Sequence, residues 1–530
     1  MSRELNRRTF LAGSAALAAG TAAGTALPAT ASATPELTKR PIKLPDVAVR
    51  PEARRDPSEA TVAEAITLLR HRSLRAVDLV EAHLDRIARF DATYQAFNAT
   101  VPDAARAQAK DADRRRTGVL SGIPLCIKDN YFTAGVPTTA NSFIFRDFVP
   151  ASDATAVARL KAAGGIVVGK GQMGPLATTR ATTPNGIVTT VNAWTPQDPS
   201  VDPGGSSTGP ACAVAGRMAC SSIGTQTGGS IVLPSNQQNL TGLKPTMGRT
   251  SIHGVIPLSY TRDHSGPLAR DALDAAIMLT VLAGPDPNDV RTQGLPGVPD
   301  LITAAMPVRR RGKVTLRRPT TIGVPPDYLT GASAAVSALR HAFLDTLAGI
   351  PGATVLAVTY PADWDLLTGT FNAIRLSERT EPFLGYLKQD PRLFGVSLLS
   401  WLQGLFLSGD EWITGQRAKH HLLRETLDGV LSRCDVLLQT GPVPFDILGL
   451  PELGLPIGFA PSGANPAVPV GTILGAGPYE EDRLLEVAAA YQAVTDWHTR
   501  RPADPAPAAA ARSTLAPPRI TPEESAATSA

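Results

Sequence analysis

Between about residues 200 and 270 the chain is as rich in glycine and serine as a linker, yet it keeps apolar blocks throughout. Two turns dominate it: Pro203-Gly204-Gly205-Ser206-Ser207-Thr208-Gly209 and Gly224-Thr225-Gln226-Thr227-Gly228-Gly229-Ser230-Ile231. Glycine opens dihedrals closed to other residues and removes side chains that would cover backbone N–H groups. Such turns inside an apolar frame read as tight structured loops, and each delivers a serine to a place where backbone approaches closely.

The rest of the chain supplies the frame. Val62, Ile66 and Leu69 share one helical face, and Val77, Val80, Leu84 and Ile87 repeat at helical spacing in a second helix, with Ser73 as its expected N-cap. Ile123-Pro124-Leu125-Cys126-Ile127 reads as an apolar strand ending at Lys128-Asp129-Asn130. A helix over Thr155–Ala163 precedes a buried strand over Gly165–Val168. A Pro/Gly/Arg-rich connection from about Gly284 to Arg318 carries Arg309-Arg310-Arg311 and Lys313, read as a solvated face. Beyond it come a strand at Ile322–Val324, a helix at Ala334–Leu347, and a helical stretch over about 366–433 bearing Phe371, Ile374, Leu398, Leu399, Trp401, Phe406 and Trp412. A strand at Val436-Leu437-Leu438 and a closing helix at Arg483–Trp497 complete the pattern. Strands alternating with helices indicate an α/β layered fold.

Composition removes several function classes. Of 530 residues, 43% are hydrophobic, enough to bury a large core and too many for wholesale disorder. A net charge of +4 without a long basic run argues against nucleic-acid binding. The four cysteines, Cys126, Cys212, Cys220 and Cys434, are too few and too scattered for a disulfide scaffold, and read as small buried hydrophobes.

The ends carry different signals. Asn6-Arg7-Arg8-Thr9-Phe10-Leu11 sets twin arginines before a weakly apolar run to Leu27, followed by Ala31-Ser32-Ala33, a small-x-small cleavage pattern. Residues 1–33 are therefore expected to be a cleaved twin-arginine signal peptide, and the mature protein to be secreted or extracytoplasmic after a transient encounter with that export machinery. Residues 34–57 read as a Pro-rich surface arm, residues 58–502 as one domain, and residues 503–530 as a disordered Pro/Ala-rich tail. No later run reaches the roughly 18 apolar residues of a spanning helix, so no stable membrane insertion is expected.

Three residues then suggest chemistry. Backbone N–H groups converging in a glycine turn stabilise an oxyanion. A serine there needs a base, and a lysine serves only when neutral, a state favoured by desolvation at an apolar strand end. Singly these signals are weak. In combination they resemble the amidase signature family. The matching pieces run in order: Gly122-Ile123-Pro124 to Lys128-Asp129-Asn130, Gly135-Val136-Pro137-Thr138-Thr139, Gly204-Gly205-Ser206-Ser207 and Gly228-Gly229-Ser230-Ile231. They continue through Gly242-Leu243-Lys244-Pro245-Thr246, Asp263 with Gly266-Pro267-Leu268-Ala269-Arg270, Gly449-Leu450-Pro451 and Thr495-Asp496-Trp497-His498.

The resemblance covers about residues 58–500. It implies a large twisted mixed β-sheet with helices on both faces, the stretch over 366–433 being the family's variable region. It further implies Ser230 as nucleophile, Ser206 as bridging serine after a cis peptide bond from Gly205, and Lys128 as base. The N–H groups of Thr227, Gly228, Gly229 and Ser230 would form the oxyanion hole, Ser207 would support the network, and the segment at Met173 would line the acyl pocket. The implied reaction is hydrolysis of a small-molecule or peptide amide through an acyl-enzyme, with no metal or organic cofactor.

The chain departs from the family at Gln226, where an acid is usual, and at Val232, where an arginine is common. We read the two as a charged pair lost together, a tolerated drift beneath the nucleophile. Thr208, Pro210 and Gly174-Pro175 also depart, and Tyr131 and Phe132 add aromatic bulk beside Lys128. Two rival readings stay open: a catalytically silent exported binding protein on the same scaffold, and an α/β-hydrolase-type esterase using Ser207 of Gly205-Ser206-Ser207-Thr208-Gly209 with His264 or His498. Membership of a tRNA-dependent amidotransferase complex is a further family possibility, against which the export signal counts. Gly164 to Gly169-Lys170 mimics a P-loop, but Gly171 stands where Ser or Thr must hold magnesium. Substrate identity and oligomeric state are not encoded legibly.

Overall fold

The computed structural model describes Ile42, residues 44–369 and residues 374–506, all within one compact unit. The expected signal peptide, Phe371 and residues 507–530 of the expected tail lie outside the described residues.

The strands are β1 (Phe97–Thr100), β2 (Pro124–Lys128), β3 (Ile166–Gly171), β4 (Ser221–Gln226), β5 (Thr241–Lys244), β6 (His264–Ala269), β7 (Val308–Arg310), β8 (Lys313–Thr315), β9 (Thr320–Val324), β10 (Ala353–Ala357), β11 (Val436–Gln439), β12 (Glu452–Ser462) and β13 (Asn465–Ala476). Eleven of them form one sheet in the order β1-β3-β2-β4-β6-β5-β12-β13-β11-β9-β10. It is mixed: β3, β2 and β4 run parallel, as do β11, β9 and β10, and antiparallel strands join the two blocks. The expected Pro/Gly/Arg connection contains an ordered hairpin, β7–β8, and Arg318 pairs with Asp482 and Glu486 instead of pointing free into water.

Alternation along the strands covers both faces, since successive side chains point opposite ways. On β2, Leu125 and Ile127 pack with Val62, Val157 and Ile277, whereas Cys126 packs with Phe97, Ala211 and Val214. On β11, Val436 and Leu438 join Phe343, Leu485 and Tyr491, while Leu437 meets Trp364 and Leu422. The near-continuous apolar reading of these strands follows from burial on both sides.

Helix starts are set by different devices. Val62–Arg70 begins with a capping box of Thr61 and Glu64. Ala76–Tyr94 is not capped by Ser73: its first amides donate to the Asp113 carboxylate, from Ala76 N at 2.7 Å and Val77 N at 3.2 Å. The cap comes from a helix 37 residues away, so no local pattern announces it. The closing helix spans Glu481–Gln492 and stops short of Trp497, which opens a separate 3-10 turn. The surface arm is seated by Ile42, Leu44, Val47 and Val49 against the core. At the other end the chain stays docked past 502, because Asp504 pairs with both Arg86 and Arg217. All four cysteines are buried and free. No described helix is long and apolar enough to cross a membrane.

Candidate active site

Lys128 is the last residue of β2 and is fully buried. Its Nζ donates to Ser206 Oγ at 2.8 Å and Thr225 Oγ1 at 2.8 Å, with the Thr225 carbonyl at 3.3 Å. Every partner is neutral. Burial therefore pushes the ammonium down to about 7, opposed only by the more distant Asp263. A lysine neutral near physiological pH can take a proton, which an ordinary surface lysine cannot.

Ser206 follows a cis peptide bond from Gly205, as the family resemblance implied. The turn is crowded: a Cβ on Gly205 would sit 2.5 Å from Arg180 Cα, so only glycine fits. Ser207 ends that turn and leads into the helix Thr208–Ala215. It is fully buried, and its hydroxyl donates to the Thr225 carbonyl at 3.3 Å. That removes the α/β-hydrolase reading, which needs an exposed Ser207 beside a histidine. His264 is itself buried with Nδ1 on the Arg262 carbonyl, and His498 lies beside Arg50 and Glu64 in a separate surface pocket.

Ser230 sits half-buried in the turn between β4 and the helix Val232–Gln237. Among the described residues no hydrogen bond joins it to Ser206, so Lys128 and Ser206 are linked and Ser230 stands apart from them. The loop before it is held by Thr227, whose hydroxyl donates to Asp263 Oδ1. Asp263 Oδ2 in turn accepts from Leu258 N at 2.7 Å and Ser259 N at 3.1 Å. Gly228 is exposed with open space around it, whereas Gly229, at φ +104°, packs against Leu233 and Pro442.

Gln226 is more than drift. Its Oε1 accepts from Ile231 N at 2.9 Å and Val232 N at 3.0 Å, clamping the backbone just after Ser230. Its Nε2 donates to Asp446 Oδ1 at 3.0 Å and Glu452 Oε2 at 2.7 Å, both fully buried. Lys244 lies 3.7 Å and 3.6 Å from the same two carboxylates, and burial raises both acids above their ordinary range. A carboxylate at position 226 would add a third acid to a site with one lysine and would offer nothing to Asp446 or Glu452. The amide, which both donates and accepts, satisfies all four partners.

Two of the remaining departures, at Tyr131 and Gly174, also resolve. Tyr131 does not project into a pocket: it is fully buried, and its hydroxyl donates to the Gly224 carbonyl and accepts from Ser265 Oγ, each at 2.7 Å. Gly174 is dictated by space, since a Cβ would lie 1.9 Å from the Thr179 carbonyl oxygen, and its N–H donates to the Ser206 carbonyl at 3.2 Å. Met173 is buried in a cluster with Leu176, Phe383 and Trp401, which ties the helical region to this segment. Lys170 of the P-loop mimic is buried on β3, donating to the Tyr131 carbonyl and Thr138 Oγ1. Thr225, the partner shared by Lys128 and Asn130, was missed; its only sequence signal is its place two residues before Thr227 on the strand that leads to the turn carrying Ser230.

Comparison with known proteins agrees with this geometry. The Amidase family profile matches residues 78–440. A glutamyl-tRNA(Gln) amidotransferase subunit from Chloroflexus aggregans is 34% identical over 497 residues, covering 83% of this chain and 98% of that protein. The same subunit from a Roseiflexus species is 33% identical over 487 residues, with 84% and 98% covered. Among solved structures, native peptide amidase from Stenotrophomonas maltophilia superposes with a TM-score of 0.72 at 28% identity, covering 85% of this chain and 99% of its own. By sequence match, sheet architecture and the arrangement at Lys128 and Ser206, the chain belongs to the Amidase family, hydrolases of amide C–N bonds.

Proposed function

We propose that this protein is an exported amidohydrolase that cleaves a carboxamide through an acyl-enzyme on Ser230. The observation that carries the mechanism is Lys128 Nζ, buried among neutral partners, 2.8 Å from Ser206 Oγ. Neutral Lys128 draws the Ser206 proton as Ser206 takes that of Ser230. Ser230 Oγ bonds to the amide carbon, and the oxyanion rests on N–H groups of the Thr227–Ser230 turn. Collapse breaks the C–N bond, the departing nitrogen regains the proton along the same relay, and water then releases the acid. The intact mass after treatment with a fluorophosphonate tests this: one adduct on Ser230, absent in Ser230→Ala and slowed in Lys128→Ala. A folded protein without an adduct would break the assignment and favour a silent scaffold, and an adduct on Ser207 would break it in favour of a Ser207 nucleophile.

Export rests on the twin arginines and the Ala31-Ser32-Ala33 site. Its test is fractionation of cells expressing the full chain, in which Arg7→Lys with Arg8→Lys leaves uncleaved protein inside. A second reading, membership of a tRNA-dependent amidotransferase complex, is favoured by the names of the 34% and 33% identical relatives. It requires a cytoplasmic protein that co-purifies with other chains of that complex and releases ammonia from glutamine. Single-chain turnover of simple amides by exported protein would overturn it.

A further inference from the structure

The cationic connection between Gly284 and Arg318 takes no part in the hydrolytic relay. From Leu301 to Pro326 the chain carries six arginines and lysines and no aspartate or glutamate. The six fall into two sets. Arg317 and Arg318 are committed to the body of the protein: Arg317 donates to the Met306 carbonyl at 2.9 Å, and Arg318 pairs with Asp482 at 2.7 Å and Glu486 at 3.1 Å. Arg309, Arg310, Arg311 and Lys313 are all exposed on the β7–β8 hairpin. Among the described residues none of these four has an ion pair or a side-chain hydrogen bond.

The hairpin is a two-stranded sheet of its own, apart from the eleven-stranded one. Its foot is anchored, because Val314 and Leu316 are in the core and Leu316 N donates to the Pro351 carbonyl at 3.0 Å. At the tip Arg311 and Gly312, at φ +51° and +80°, make a two-residue turn, and a Cβ on Gly312 would meet nothing within 4 Å. Positive φ at both central positions ordinarily calls for Asn-Gly or Asp-Gly, and like charges directly opposite across a ladder weaken it. Here an arginine takes the first position, and Arg310 stands opposite Lys313. Neither choice helps the hairpin form, so the fold does not account for these cations.

Their arrangement narrows the partner. Successive strand residues point to opposite faces, so Arg309 and Arg310 flank the ribbon while Arg311 crowns it. That display offers no concavity for a shaped ligand. It also lacks an anchor: Val314 and Leu316 are buried, and residues 301–326 contain no Phe, Trp or Tyr. Protein interfaces centre on buried aromatic or aliphatic anchors and are poor in lysine, and single-stranded nucleic acid is held by stacking. A broad, fluid layer of phosphate charge needs neither.

We propose that the β7–β8 hairpin docks this protein on an anionic lipid surface, its four free cations meeting headgroup phosphates. Docking of this kind is independent of the hydrolytic relay. It is reversed by salt, because no side chain of the hairpin is placed to enter the acyl layer.

Co-sedimentation of the full chain with vesicles of phosphatidylcholine, with and without phosphatidylglycerol, tests this. The wild type is expected to bind the anionic vesicles at least about a hundredfold more tightly in about 0.05 M salt, and to be released in about 1 M salt, where screening shortens to ~3 Å. Changing Arg309→Ser, Arg310→Ser, Arg311→Asn and Lys313→Ser together should abolish the preference and leave the thermal midpoint unchanged or higher. Both proteins carry the same N-terminus, so its contribution cancels. A second variant of equal net charge, with the scattered exposed cations Arg54, Arg72, Lys110 and Lys388 each changed to Ser, should keep the preference. Equal binding of the two vesicles by the wild type, a preference that survives in the hairpin variant, or an equal loss in the scattered variant would overturn the proposal. Tighter binding to duplex DNA than to the anionic vesicles would overturn it as well.

Discussion

The sheet segment around Lys128 and the helical region over 374–433 solve opposite problems. Around Lys128 nearly every group is buried and committed: Lys128, Ser207 and Gln226 are fully buried, and each makes its hydrogen bonds to neighbours fixed by the strands. The helical region is built from short helices broken by turns, with Gly395 in a left-handed conformation at φ +51° and Phe406 and Leu399 left 85% and 67% exposed. A nucleophile and its base must be held to a fraction of an ångström, which demands a rigid scaffold. The helical region is held by only a few anchors, Trp401 in its aromatic cluster and Glu378, which accepts from Ser259 Oγ, Thr261 Oγ1 and Trp412 Nε1. The residues proposed for the chemistry are thus placed by committed packing, and the helical region is built from elements that can vary.

The largest expected effect breaks the rigid side directly. Ser230→Ala should lower kcat by at least about a thousandfold, and Lys128→Met by a comparable factor, because members of a relay fail together. Steady-state hydrolysis of hexanamide measures both; a Lys128→Met enzyme within tenfold of wild type would remove lysine as the base. The pH profile sharpens the same point. Lys128 works only when neutral, so kcat/KM should fall about tenfold per unit below a limb at about 7 and flatten above it. An ordinary lysine would put that limb on the alkaline side; burial among neutral partners moves it to neutrality.

Next in size is Gln226. Leucine there strands the amides of Ile231 and Val232 and deprives two buried acids of a donor, so stability should drop by about 2–4 kcal/mol, read as a lower denaturant midpoint. Gln226→Glu keeps the shape but sets a third acid against Asp446 and Glu452. It should be at least as damaging at pH 7, and part of the loss should be recovered at lower pH as the added acid protonates. A neutral outcome for both variants would return Gln226 to drift.

These cases mark what the sequence could convey. The turns that carry Ser206, Ser207 and Ser230 and the strand that ends at Lys128 were legible because short motifs encode their backbone, and the sheet was legible because buried strands are written as apolar runs. Gln226 was noticed only as a departure, since its partners Asp446 and Glu452 lie more than 200 residues away. Asp113 capping Ala76 and Asp504 bound to Arg86 and Arg217 were hidden for the same reason. Local pattern encodes dihedrals and period; it carries no record of which distant side chain completes a hydrogen bond.

The smallest expected effect probes the tolerant side. Phe406→Ser changes a large residue into a small polar one, a substitution that inside the sheet would cost several kcal/mol. At 85% exposure it removes little buried area, and stability should move by no more than about 0.5 kcal/mol. Hexanamide turnover should also hold, because Phe406 stands outside the Trp401 cluster that joins the helical region to Met173. A loss of stability beyond 1 kcal/mol, roughly, would mean that this face is covered in solution, and the contrast between a committed sheet and a permissive helical region would then narrow to the chemistry itself.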